Sequence, residues 1–208
     1  TRRSSDPLGA GIFLGVGRGI HIAGPILVAA YALAGAMVAM RGKAKFARPR
    51  PSQRYPALLP VIAVPTTAGT GSECTRFTVI TDHERDEKML INGFGCLPLA
   101  AIVDYELTLT VPPRTTADTG IDSFTHALEA YVSKRANPFS DALALAAMEL
   151  IGTHLRTAYH EPGNAAAREG MMLGATQAGL AFSNSSVALV HGMSRPIGAH
   201  FHVPHGLS

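Results

Sequence analysis

Leu59-Pro60-Val61-Ile62-Ala63-Val64-Pro65-Thr66-Thr67-Ala68-Gly69-Thr70-Gly71-Ser72-Glu73 sets the class of fold. Its first half is a continuous apolar run with β-branched residues between prolines, the pattern of a strand covered on both faces. Its second half places the hydroxyls of Thr66, Thr67, Thr70 and Ser72 with Gly69 and Gly71 at the strand's end, where α/β folds hold ligands. Hydroxyls and free N–H groups there suit phosphate, ribose or carboxamide groups. The same residues also fit a plain Ser/Thr turn in which Thr70 or Ser72 caps the next element, and composition alone leaves both readings standing.

Downstream, Phe77-Thr78-Val79-Ile80-Thr81 alternates, Asp82 to Glu87 is a polar turn, and Lys88-Met89-Leu90-Ile91 completes a hairpin. Ala100-Ala101-Ile102-Val103-Asp104 reads as another buried strand, ending in a carboxylate. From Pro112-Pro113 the periodicity becomes helical. The spacing predicts helices from about Thr116 to Ser133, from Pro138 after an Asn137 cap to Tyr159, and from Asn164 to Phe182. A fourth follows Ser183-Asn184-Ser185-Ser186 and carries Val187, Leu189, Val190 and His191. The fold class expected is α/β followed by all-α, with an α/β domain over residues 1–112 and a helical domain over 113–208.

Upstream, Ile12-Phe13-Leu14-Gly15-Val16-Gly17-Arg18-Gly19 ends an apolar run in alternating glycines. A strand, a glycine turn and a helix start make a phosphate cradle, and a turn between two buried elements fits equally well. Ile20 to Met40 is uncharged, largely apolar and followed by a basic cluster, the outline of a membrane span. Pro25, His21 and many Gly and Ala residues make it weakly hydrophobic, so a buried helix is the better reading. Arg41 to Pro60 reads as an exposed Arg/Lys/Pro loop; with only Phe46 and Tyr55 as aromatic platforms it is not a nucleic-acid surface.

The 208 residues are 47% apolar and 16% charged, enough to bury a core. The net charge is only +3, yet no acid falls between Asp6 and Glu73. Cys74 and Cys96 form neither a disulfide framework nor a paired metal motif, which makes a reducing cytoplasm the expected compartment. Thr1 to Asp6 has no signal-peptide layout and reads as a cut end.

In Gly120-Ile121-Asp122-Ser123-Phe124-Thr125-His126-Ala127-Leu128-Glu129-Ala130-Tyr131, Asp122 and His126 fall one helical turn apart on one face. A carboxylate oxygen and an imidazole nitrogen at that spacing can converge on one cation. Of the nine histidines, His191 in an apolar helical segment and His205 between Pro204 and Gly206 have settings suited to complete the set, with His200 and His202 as rivals. Three imidazoles and a carboxylate suit Fe(II) or Zn(II) with a position open for substrate oxygen. The competing reading is a group of core histidines with ordinary hydrogen-bond partners.

With these residues in hand, the chain resembles the iron-containing (group III) alcohol dehydrogenases. The stretches that carry the resemblance are Pro65 to Glu73, Asp86-Glu87-Lys88-Met89, Ala101-Ile102-Val103-Asp104, Gly120 to Tyr131, His191-Gly192-Met193 and Pro204-His205-Gly206, in the family's order over residues 57–208. The resemblance implies part of a parallel-sheet dinucleotide-binding domain, then the first helices of a helical metal-binding domain, with the metal in the cleft between them. It implies Asp122, His126, His191 and His205 as metal ligands, and Thr66, Thr67, Thr70, Gly71, Ser72, Thr75 and Lys88 as the lining of an NAD or NADP pocket. The activity implied is hydride transfer between a primary alcohol or its aldehyde and the nicotinamide at a divalent metal. The partners expected are that small molecule and, as an assembly to test, a second copy in a homodimer, with no nucleic acid and no membrane.

Two departures stand out. Where many relatives carry a histidine four residues after the third ligand, this chain has Arg195, a poor acid–base group. The family's Gly-Gly-Gly-Ser pyrophosphate turn is replaced by Gly15 to Gly19 and an acid-free run, which marks residues 16–57 as altered or frame-shifted. The chain is also expected to be truncated at both ends. The alternative to an enzyme is therefore a metal-binding pseudoenzyme or inactive fragment without a working cofactor site.

Overall fold

The computed structural model describes residues 61–82, 87–93 and 96–208. The glycine turn Gly15–Gly19, the apolar run Ile20–Met40, the basic stretch Arg41–Pro60 and the atypical segment 16–57 lie outside the described residues. The described elements run β1 (Ile62–Ala63), β2 (Phe77–Asp82), β3 (Glu87–Asn92), β4 (Ala100–Ala101), α1 (Pro113–Val132), α2 (Pro138–His160), α3 (Ala165–Asn184) and α4 (Leu189–Phe201).

β1 pairs parallel with β4, Ile62 opposite Ala100 and Ala63 opposite Ala101. The N–H groups of Leu99 and Ile102 extend this ladder to the carbonyls of Val61 and Ala63, at 2.8 Å each. The expected hairpin is present: β2 and β3 are antiparallel, with Phe77 opposite Asn92 and Thr81 opposite Lys88. The two strands expected to be buried are shorter and barer than their apolar runs suggest. Ile62 is 57% exposed and Ile102 55% exposed. The physical reason is that β1 and β4 pair only with each other, and no described layer covers their apolar side chains. Asp104 does not extend the strand but caps the 3-10 turn Tyr105–Thr108, its Oδ1 accepting the Glu106 N–H at 2.9 Å.

The helical half follows its caps. α1 starts three residues before the predicted Thr116, because Pro113 occupies the first helical position, where its missing N–H leaves no bond unmade. Asn137 opens α2 through a reciprocal box, with Asn137 Oδ1 accepting the Ser140 N–H at 3.1 Å and Ser140 Oγ accepting the Asn137 N–H at 3.0 Å. Asn164 does the same one-sidedly for α3, accepting the Ala167 N–H at 3.1 Å. α4 begins later than predicted, so Val187 lies outside it and Ala188 is its cap residue.

Small residues let α1, α2 and α3 pack closely. Ala127, Ala147, Ala175 and Ala178 are buried around Ile151, Met171 and Met172. Each of those three larger side chains contributes about 1.5–3 kcal/mol by leaving water. Gly174 faces Ile151 and Gly120 faces Leu155 so closely that a Cβ would lie 2.8 and 2.3 Å from them. Buried Arg168 ties α3 to the start of α1, donating to Thr116 Oγ1 at 2.9 Å, to the Val111 carbonyl at 3.3 Å and to the Pro162 carbonyl at 2.9 Å. No described helix is long and apolar enough to cross a membrane.

Candidate metal centre

α1 places Asp122, His126 and Glu129 at i, i+4 and i+7, one stripe on its buried face. His191 comes to this stripe from the first turn of α4. His205 comes from the turn Pro204-His205-Gly206, which packs against α1 so tightly that a Cβ on Gly206 would lie 2.0 Å from the Asp118 carbonyl oxygen. All four of Asp122, His126, His191 and His205 are buried. The rivals His200 and His202 are exposed, and His202 instead takes the left-handed conformation (φ 53°) that ends α4.

The side chains converge on one atom. Nε2 of His191 and Nε2 of His205 each lie 3.3 Å from Asp122 Oδ1, and Nε2 of His126 lies 3.8 Å away. One ligand atom each from Asp122, His191 and His205 falls within 4.8 Å of the other two. The His126 ring is wedged between Phe182 (centroids 4.4 Å apart) and His191 (4.3 Å), which fixes its plane.

Electrostatics favour a cation here. Burial pushes the Asp122 carboxyl up, but the three imidazoles of His126, His191 and His205 around it outweigh this and hold the carboxyl ionised, well below the usual range. Burial pushes His126 down to about 4, so its imidazole is neutral at neutral pH. No lysine or arginine pairs with Asp122 among the described residues. His126 Nδ1 is buried without a hydrogen-bond partner, and its Nε2 has only the long contact to Asp122. An ionised carboxylate facing three imidazoles, one of them lacking a close hydrogen bond, fits a divalent ion of the Fe(II) or Zn(II) type.

Two supporting residues were not found from sequence. Glu129 accepts the ring N–H of His191 at Nδ1, 2.5 Å away, and Ser194 Oγ lies 3.3 Å from His205 Nδ1. Burial raises the Glu129 carboxyl, and its bonds to His191 and to backbone N–H groups more than reverse this. A signal for Glu129 existed: an acid flanked by apolar residues, on the same helix face as His126.

The hydroxyl-rich loop also reaches α1. A Cβ on Gly69 would lie 2.5 Å from Thr119 Cβ, one turn before Asp122. Thr70 Oγ1 accepts the Ser72 N–H at 3.2 Å, forming the local Ser/Thr turn, while the 3-10 turn Ser72–Cys74 is preceded by Gly71 rather than a hydroxyl cap. Gly71 has φ +59° and packs on Gly179 of α3, so both conformation and space require glycine there. Thr66 and Thr67 are half-buried and Ser72 is exposed. Thr75 is buried, its hydroxyl donating to the Phe77 carbonyl at 3.4 Å. Of Lys88 only the backbone is described, opposite Thr81 in the hairpin.

A short parallel sheet leading through a hydroxyl-rich loop onto a helical unit with a buried carboxylate–imidazole cluster defines part of a two-part α/β and helical protein. Sequence models of two parts of one family match it: iron-containing alcohol dehydrogenase over residues 15–105, and the C-terminal part of the Fe-containing alcohol dehydrogenase family over 116–208. The chain belongs to the iron-containing alcohol dehydrogenase family. It is 48% identical over 148 residues to the probable alcohol dehydrogenase EutG of Salmonella typhimurium, covering 71% of this chain and 38% of that protein. It is 46% identical over 145 residues to an NADPH-dependent butanol dehydrogenase of Clostridium saccharobutylicum, covering 70% and 37%. The solved structure of sulfoacetaldehyde reductase from Bifidobacterium kashiwanohense in complex with NAD+ matches with a TM-score of 0.70 and 40% identity, over 75% of this chain and 42% of that one. The chain thus spans well under half the length of the relatives it matches.

Proposed function

We propose that Asp122, His126, His191 and His205 hold one divalent ion, Fe(II) or Zn(II), and that the chain belongs to an enzyme interconverting a primary alcohol and an aldehyde with NAD or NADP. The observation that carries this reading is the convergence of His191 and His205 on one buried oxygen of Asp122. The names of the relatives support the chemistry: an NADPH-dependent butanol dehydrogenase and a reductase solved with NAD+.

When bound, the metal supplies Lewis-acid polarisation of the substrate oxygen. Asp122 provides the negative charge that holds the cation, and burial keeps His126 neutral and able to ligate. The loop Thr66–Thr75, with Lys88, offers hydroxyls, N–H groups and a cation to the cofactor. Its packing at Gly69 against Thr119, one turn before Asp122, supports a cofactor loop next to the metal ligands. Thr75 supports the loop from within. Arg195 Nε donates to the His191 carbonyl at 3.1 Å, and a guanidinium, a poor acid–base group, takes no proton-transfer role. In this reading residues 1–112 and 113–208 are the cofactor and metal domains, 16–57 is an altered segment within the stretch that the family model spans, and Cys74 and Cys96, neither of them in a disulfide, suit a reducing cytoplasm.

A second reading, a metal-binding protein without turnover, is favoured by the replacement of the family's glycine-rich pyrophosphate turn by Gly15 to Gly19 and an acid-free run. The experiment is to load the protein with Fe(II) or Zn(II), titrate NADH and NADPH by fluorescence, and follow aldehyde-dependent oxidation of the bound cofactor. Metal, cofactor binding and turnover together support the enzyme. Metal uptake without cofactor binding supports the second reading, and no metal uptake refutes both.

A further inference from the structure

The first turn of α4 has no cap of its own. Ala188 at its cap position offers no side-chain acceptor, so N–H groups there need a partner from elsewhere. The partner is Glu129, from the middle of α1. Its Oε1 accepts the Val190 N–H at 2.6 Å, and its Oε2 accepts the His191 ring N–H at Nδ1 at 2.5 Å and lies 3.4 Å from the His191 backbone nitrogen. The carboxylate is almost fully buried, at 3% exposure, and it spans the start of the helix and the ring that the helix carries.

We infer that Glu129 is the positioning residue of the metal centre: it caps α4 from α1 and holds His191 with the proton on Nδ1, the closer of the ring's two carboxylate contacts at 2.5 Å against 3.3 Å to Asp122, which leaves Nε2 for the cation that Asp122 would share. This rests on the reading of Asp122, His126, His191 and His205 as metal ligands. The chemistry requires both oxygens. A ring nitrogen that donates to a carboxylate is fixed in one tautomer, and its opposite nitrogen is the ligand. A glutamine in the same place keeps one oxygen for the Val190 N–H but turns an NH2 group toward Nδ1. That favours the other tautomer, with a proton on Nε2 where a lone pair is needed.

The test compares wild type, Glu129→Gln and Glu129→Ala, using Zn(II) alone as probe in competition with a chromophoric chelator. The nitrogen-15 shifts of the His191 ring are read in the metal-free proteins at a pH where the ring is neutral. Glu129→Gln should bind Zn(II) about 10- to 100-fold more weakly than wild type, with its helical circular dichroism retained and the His191 proton moved toward Nε2. Glu129→Ala should lose metal affinity and also melt at lower temperature, because the cap is gone. Zn(II) affinity of Glu129→Gln within twofold of wild type would overturn the inference. So would a wild-type His191 protonated at Nε2, a result that stands even if the variants do not fold. If wild type takes up no Zn(II), the ligand reading fails and this inference with it. A normal His191 tautomer beside normal uptake in Glu129→Gln would refute the inference alone.

Discussion

His191 and His205 come from different elements, yet their Nε2 atoms stand at the same distance, 3.3 Å, from the same oxygen of Asp122. Two imidazoles need not share one lone-pair region of a carboxylate whose other oxygen is equally basic. A common point of convergence is the arrangement that a cation held by all three requires. Asp122→Asn removes the charge while keeping the shape, and should reduce Fe(II) or Zn(II) affinity by about 100-fold or more. Metal content after gel filtration, measured by mass spectrometry, checks this.

Gly206 links the fold to the centre. A Cβ there would lie 2.0 Å from the Asp118 carbonyl oxygen and 2.5 Å from its carbon, both in the backbone of α1. That backbone cannot yield without moving the turn before Asp122. Gly206→Ala should therefore displace His205, weaken Zn(II) binding about tenfold or more, and cost about 1–3 kcal/mol by overpacking. Isothermal titration with chemical denaturation reads both effects.

Gly179 tests the proposed cofactor loop. A Cβ on it would lie 2.7 Å from both the Gly71 carbonyl oxygen and Cys74 Sγ, so Gly179→Ala must push the loop off α3. The expected result is a stability loss of about 1–3 kcal/mol and weaker NAD(P) binding, with metal uptake unchanged. Loss of metal together with cofactor would contradict the assignment of the loop to the cofactor and of Asp122, His126, His191 and His205 to the metal.

Glu73 gives a pH dependence away from the metal. Burial raises its carboxyl above the ordinary 4.5, only partly offset by its backbone bond and by the Thr176 hydroxyl, which donates to it at 2.8 Å. A raised folded-state value means the native protein holds this proton more tightly than the unfolded chain. The resulting stability is complete below the unfolded value and is lost as pH rises through the folded one. Glu73→Gln keeps an acceptor for Thr176 without the charge. Its melting temperature should match wild type near pH 4.5 and exceed it increasingly toward neutrality, in a thermal-melt series across that range.

Local chemistry made the helices legible. Asn137-Pro138 and Asn164 announce caps that the structure uses, and Phe77–Ile91 reads as the hairpin it is. Asp122 and His126 were legible because helical spacing alone puts them on one face. The centre as a whole was not, since the approach of His191 and His205 depends on how α4 and the final turn dock on α1. Glu129 shows the same limit: its neighbour in the structure is 62 residues away. The strands erred in the opposite sense, because an apolar run records the layer that a strand expects to meet, and Ile62 and Ile102 meet none among the described residues.

The central claim is a single metal ion bound by four named side chains. The most direct measurement is anomalous diffraction from crystals of the protein loaded with Zn(II) or, without oxygen, Fe(II). The account predicts one strong peak at about 2.0–2.2 Å from a carboxylate oxygen of Asp122 and from one ring nitrogen each of His126, His191 and His205. No peak in loaded crystals, or a peak bound elsewhere with these side chains still hydrogen-bonded to one another, would contradict it.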